Sequence, residues 1–180
     1  KGELSGSVQI LGTDISQINL AEISQQIGTL IQDPERQIVA SDVYSEVAFG
    51  PENLGLPPEE IEGRIHKTLE RLRISHLLSR ETFALSGGEK QKVALAGVLA
   101  MEPTILLLDE PLASLDSASA YEAVQLFRRI ADEGTTILMI EHRVEDGLLA
   151  KPDRLLYMED SEIRYLGPVD QPPAQISYHL

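Results

Sequence analysis

The sequence predicts an α/β fold, a mostly parallel sheet flanked by helices, with a largely helical insert in its middle. Two observations carry that prediction. Ile105-Leu106-Leu107-Leu108 follows Pro103, is too short for a stable helix, and is apolar enough for a central strand buried on both faces. A helix-patterned stretch then separates it from a second apolar run, Thr135 to Ile140. Strands alternating with helices run parallel and gather ligands at their carboxyl ends.

Taken in order, Ser7 to Leu11 reads as a strand, and Gly12-Thr13-Asp14 as a turn. A short helix is expected through Ile15, Ile18, Leu20 and Ile23. Ile27 to Ile31 is a strand that Pro34 stops. The helical insert begins near Ser41. Its clearest helix starts at Pro57-Pro58 and carries Ile61, Ile65, Leu69 and Leu72 on one face. Glu60 and Arg64 add a pair worth only about 0.2 to 0.5 kcal/mol, so the apolar face must dock that helix. Another helix opens at Ser86, whose offset to Glu89 is that of a capping box, and runs to about Ala100. A third, Ser117 to Asp132, groups Ala120, Val124, Phe127 and Ile130 and ends at Gly134. Thr135 to Ile140 is expected to be buried. Arg154 to Met158 and Glu162 to Leu166 read as strands joined by Glu159-Asp160-Ser161.

The 180 residues fit one globular unit with one core, at 42% hydrophobic content. The formal net charge of -14 opposes the counterion-release attraction that drives nucleic-acid binding, so no nucleic-acid partner is expected. Without cysteine there is neither a disulfide framework nor a thiolate metal site, which fits a reducing compartment. No apolar run reaches the roughly 20 residues of a membrane-spanning helix, so any membrane role must pass through a partner. The start at Lys1-Gly2-Glu3, already entering a strand, reads as a cut.

Two places carry chemistry. Asp109-Glu110 ends the central strand, where one carboxylate can hold hydrated Mg2+ and the other can orient a water, the division that phosphoryl transfer to water requires. An acidic turn after a strand is common, however, and the pair alone does not decide. Leu85-Ser86-Gly87-Gly88-Glu89 opens a helix with two residues lacking side chains, which leaves backbone amides and the positive end of the helix dipole open to an anion.

Leu85 to Gln91 resembles the signature motif of the ABC ATPases, and Ile105 to Pro111 resembles their Walker B strand. Ser114-Leu115-Asp116 resembles the D-loop, Glu141-His142 the switch histidine, and Gln32-Asp33-Pro34 the Q-loop. The five motifs stand in the family's order across essentially the whole chain. The resemblance implies a P-loop-NTPase-like core at 1–40 and 101–180, a helical signature subdomain at about 41–100, and ATP with Mg2+ as ligands. Asp109 would support Mg2+ with Gln32 as its sensor, Glu110 would polarise the attacking water, and His142 would contact the terminal phosphate. Ser86, Gly87, Gly88 and Glu89 would face ATP held by a second ABC ATPase domain, with Ser114, Leu115 and Asp116 at the same interface. Val47 to Leu56 and Glu141-His142-Arg143 are similar to energy-coupling-factor and cobalt-type importers. That subfamily implies transmembrane transporter subunits as partners, a vitamin or metal ion as cargo, and a place at the cytoplasmic face of the membrane.

The family's P-loop, glycines followed by Gly-Lys-Ser/Thr, does not occur among these residues and is expected upstream of Lys1 with the strand leading to it. The 180 residues alone are therefore expected to be inactive, and a missing central strand should expose apolar edges that invite self-association. Two other readings stay open: an ABC ATPase of a soluble DNA-maintenance or translation machine, and a non-catalytic domain that lends its signature face to another ATPase. The short span from Gln32 to Leu85 leaves no room for a long coiled coil of the chromosome-maintenance type.

Overall fold

The computed structural model describes residues 6–113, 115–142 and 144–171. Its centre is a three-stranded parallel sheet of β3 (Ile27–Leu30), β4 (Ile105–Asp109) and β5 (Thr136–Ile140), with β4 in the middle. Register pairs Leu30 with Leu108 on one side and Leu108 with Met139 on the other. Side chains alternate across a strand, so this register sorts them into two faces. One face gathers Gly28, Leu30, Leu106, Leu108, Ile137 and Met139, of which the first four are buried. The other gathers Thr29, Ile105, Leu107, Asp109, Leu138 and Ile140, half-buried or exposed. The expectations that β4 is buried on both faces and that β5 is buried are thus corrected. Among the described residues, helices cover one face, and β5 is an edge strand with Leu138 and Ile140 at 55% and 56% exposure.

The covered face meets a helical layer. α3 (Val43–Asn53) starts at Asp42, whose carboxylate accepts from the Ser45 amide, and it tolerates Pro51 in its interior. α4 (Pro58–Arg71) buries Ile61, Ile65 and Leu69, while Leu72 is buried just past its end. Arg64 holds Glu60 at 2.8 Å and donates to the Ala100 carbonyl at 3.2 Å, tying α4 to the helix behind it. That helix is α5 (Gly87–Leu99). It approaches β3 so closely that a Cβ at Gly28 would stand 2.3 Å from Val98 Cγ1. One core cluster joins Leu30, Leu106 and Leu108 of the sheet to Ile65, Val93 and Leu99, and to Val124 and Ile130 of α6 (Ser117–Asp132).

Smaller elements frame this body. β1 (Gln9–Ile10) and β2 (Thr13–Asp14) form a short antiparallel pair, less than the five-residue strand expected from Ser7. α1 (Leu20–Gln26) starts on an Asn19–Glu22 capping box and runs straight into β3. α2 (Pro34–Gln37) begins at the proline that ends the strand signal, because proline at a helix start lacks only an amide that would be unpaired there. α7 (Val144–Leu148) follows His142. β6 (Arg154–Glu159) and β7 (Glu162–Pro168) form the expected hairpin. Its two-residue turn has Asp160 and Ser161 both at positive φ, the geometry that suits the twist of a tight hairpin.

Candidate functional site

Three side chains from three separate segments meet beyond the carboxyl ends of the sheet. Gln32 lies just past β3, Glu110 directly follows β4, and His142 lies just past β5. Gln32 Nε2 donates to Glu110 Oε2 at 2.9 Å, and His142 Nε2 stands 3.0 Å from Glu110 Oε1. The parallel register produces this meeting, since β3 and β5 flank β4 and all three chains leave at the same end. Glu110 is sheltered to 24% side-chain exposure, whereas His142 is open at 79%.

The backbone at Glu110 is held in an uncommon shape. Its φ is +47°, a left-handed conformation that costs a non-glycine residue on the order of 1–3 kcal/mol and persists only where surroundings enforce it. Here the Glu110 amide donates to the Ile140 carbonyl at 2.9 Å, extending the β4–β5 pairing one residue beyond the strand. That bond and the two side-chain contacts fix where the carboxylate points. Asp109, the last residue of β4, is exposed on the uncovered face opposite Ile140.

The segment carrying Gln32 is clasped by groups that the sequence patterns did not single out. Gln37 accepts from the Ile31 amide at 3.0 Å and donates to the Thr29 carbonyl at 3.1 Å, so its side-chain amide pairs with the end of β3. Glu46 on α3, a carboxylate only 6% exposed, accepts from the Val39 and Ala40 amides at 2.9 and 2.8 Å. Neither residue belongs to a periodic pattern, and only the fold reveals what each one holds.

At the start of α5 the expected capping box is present. The Ser86 amide and hydroxyl donate to Glu89 Oε2 at 2.8 and 2.7 Å, and the hydroxyl bond to Ser86 holds the Glu89 carboxyl below its ordinary range. Ser86 and Glu89 therefore bond to each other and not to the Gln32–Glu110–His142 trio. Gly87 and Gly88 sit in the first turn, where glycine costs about 1 kcal/mol relative to alanine. A Cβ at either would meet nothing within 4 Å, and neither has positive φ, so packing among the described residues gives no reason for the two glycines. A close approach from outside would. Asp116 caps α6 by accepting from the Ala118 and Ser119 amides, and the Ser119 bonds hold its carboxyl low. Leu115 is half-buried beside the core. Ser114 and Arg143 lie outside the described residues.

Residues 2–113 match the family model described as ABC transporter. The chain belongs to the ABC transporter family. It is 41% identical over 180 residues to an ABC transporter ATP-binding protein of Treponema denticola, covering 98% of this chain and 37% of that protein. It is also 41% identical over 165 residues to the energy-coupling factor transporter ATP-binding protein EcfA1 of Symbiobacterium thermophilum, covering 91% and 57%. Among solved structures it matches cbiO1 of Clostridium perfringens, described as part of the ABC transporter complex cbiONQ. That match has a TM-score of 0.84 at 35% identity and covers 91% of this chain and 66% of that one. The chain thus spans less than two thirds of the length of each of these relatives.

The ABC transporter fold brings hard oxygen donors to one end of the sheet: Asp109, Glu110 and the Gln32 amide. Among the described residues no group of three or more histidines and acids gathers into a metal cage. That donor set fits Mg2+, which keeps several waters and is bound through one or two carboxylates together with substrate phosphates.

Proposed function

We propose that this chain is part of an ATP-binding and ATP-hydrolysing subunit of an importer, coupling hydrolysis to uptake of a vitamin or metal ion. The convergence of Gln32 and His142 on a strained, half-sheltered Glu110 carries the proposal. With both carboxylate oxygens already engaged, Glu110 is oriented to accept a proton from an attacking water once nucleotide draws Gln32 or His142 away. His142, open to solvent, is placed to donate to a terminal phosphate. Asp109 and Gln32 would hold Mg2+, whose charge neutralises the phosphates. Ser86, Gly87 and Gly88 serve nucleotide held by a second ATPase domain, and Leu115 and Asp116 border that partner.

The importer reading is supported by the names of the relatives, an energy-coupling factor transporter protein and a member of a transporter complex. An apolar strip on the insert supports membrane subunits as partners. Residues 40–43 run beside 80–82, joined by the Thr82 amide to the Ser41 carbonyl and by the Asp42–Glu81 bridge. Val39, Tyr44 and Phe83 stand exposed around this junction, Phe83 at 73%. The importer reading puts the chain at the cytoplasmic face, docked on membrane subunits; no helix among the described residues is long and apolar enough to cross a membrane. The test is affinity purification of the full-length protein from its own membranes. Co-purification of hydrophobic subunits that stimulate its ATP hydrolysis is expected. An active ATPase without such subunits would favour a soluble machine.

A further inference from the structure

Glu35 and Lys90 are 55 residues apart in sequence and 2.5 Å apart in space. Glu35 lies on α2, three residues beyond Gln32, and Lys90 lies at the end of the first turn of α5, directly after Glu89. The Lys90 side chain is only 17% exposed. Its neighbour Gln91 donates to the Pro111 carbonyl, one residue beyond Glu110. A single turn of α5 therefore grips both segments that present the candidate catalytic side chains. The same turn begins with Ser86, Gly87 and Gly88.

We propose that Glu35 and Lys90 are positioning residues whose ion pair joins the Gln32 segment to the first turn of α5, so that displacing Gln32 displaces the signature surface. The proposal rests on the ATPase reading above and deepens it, because it names the link by which one nucleotide contact is communicated to the other. Exposed ion pairs contribute little. This one differs because Lys90 is largely covered, and removing its partner leaves an ammonium with few waters to replace it. Gln37 and Glu46 hold the two ends of the intervening segment, so motion at Gln32 is not absorbed by slack in the chain. The carboxyl of Glu35 is held below its ordinary range by the hydrogen bond from Lys90, in keeping with a formed pair.

The test measures steady-state ATP hydrolysis of the full-length ATPase carrying E35K, K90E, or both, with E110Q as control. Each single reversal is expected to lower kcat by roughly two- to thirty-fold with little change in the KM for ATP. The double reversal, which restores an opposite-charge pair, is expected to recover most of the loss. Should K90E fail to fold in a thermal melt, E35Q replaces it. That change keeps the size of the side chain and removes its charge, and it should lower kcat in protein that still unfolds in one cooperative step. Wild-type kcat in the single variants, or a double variant as impaired as the two losses multiplied, overturns the proposal. If E110Q is inactive while the pair variants are normal, only the pair proposal falls. If the wild type does not hydrolyse ATP, or E110Q matches it, the ATPase reading and the pair proposal fall together.

Discussion

The two faces of the central sheet have nearly the same apolar composition and opposite fates. Leu106 and Leu108 are at 0% and 1% exposure beneath α5, while Leu138 and Ile140, one strand away on the other face, stand more than half exposed. The difference is supplied by the insert, not by the strands. Between β3 and β4 the chain adds four α-helices, of which α5 packs on β3 and α2, α3 and α4 pack on α5, and Asp109 is left on the uncovered face. The covered face holds the core, and the strand ends beside the open face carry the candidate site.

Substitutions on the two faces should therefore separate cleanly. Leu106→Ala is expected to cost about 2–5 kcal/mol in urea unfolding, because it removes buried methyls and leaves a cavity beneath α5. Gly28→Ala, which adds a single methyl against Val98 and Pro103, should cost about 1–3 kcal/mol by overpacking, and a neutral result would mean that α5 shifts freely on the sheet.

Ser86→Ala should cost about 0.5–2 kcal/mol by removing the helix cap. The same bond gives stability a pH dependence with a definite sign. The Glu89 and Asp42 carboxyls are held below their ordinary values of 4.5 and 3.8 by bonds from Ser86 and Ser45. Stability from a depressed carboxyl is fully present above those values and is lost as the pH falls through the folded-state values. Chemical unfolding at stepped pH should show that decline below about pH 4.5, and it should be shallower in Ser86→Ala. By contrast, Gly88→Ala should stabilise the fold by about 0.5–1 kcal/mol while slowing ATP turnover in the full-length protein, since packing within the chain does not require that glycine. Equal or faster turnover would remove the case for a close approach there.

On the open face, Leu138→Ser should change stability by less than about 0.5 kcal/mol. Its effect should appear in association instead. The edge of β5, unpaired among the described residues and carrying two exposed apolar side chains, should make the 180-residue chain self-associate in sedimentation, and Leu138→Ser should reduce that tendency. A monodisperse wild-type monomer would contradict this.

The elements legible in the sequence were those whose signals are local. α5 and α6 have their caps at Ser86 and Asp116, α4 has its three- and four-residue apolar spacing, and β4 is bounded by proline and acid. α3 was legible only as insert, because Gly50 and Pro51 interrupt a helix that its packing on α5 sustains. The exposure of β5 could not be read from Ile137-Leu138-Met139-Ile140, since burial depends on what lies above the sheet and not on the strand. Likewise Gln32, Glu110 and His142 could be named from motif positions, but their meeting, and the left-handed turn at Glu110, depend on a register between strands far apart in sequence.

The most direct test is Glu110→Gln in the full-length protein, a change that keeps the shape of the side chain and removes the proposed base. Turnover should fall at least about a hundred-fold, with ATP binding measured by calorimetry retained. Turnover equal to that of the wild type would show that the convergence on Glu110 is structural and that the catalytic base lies elsewhere.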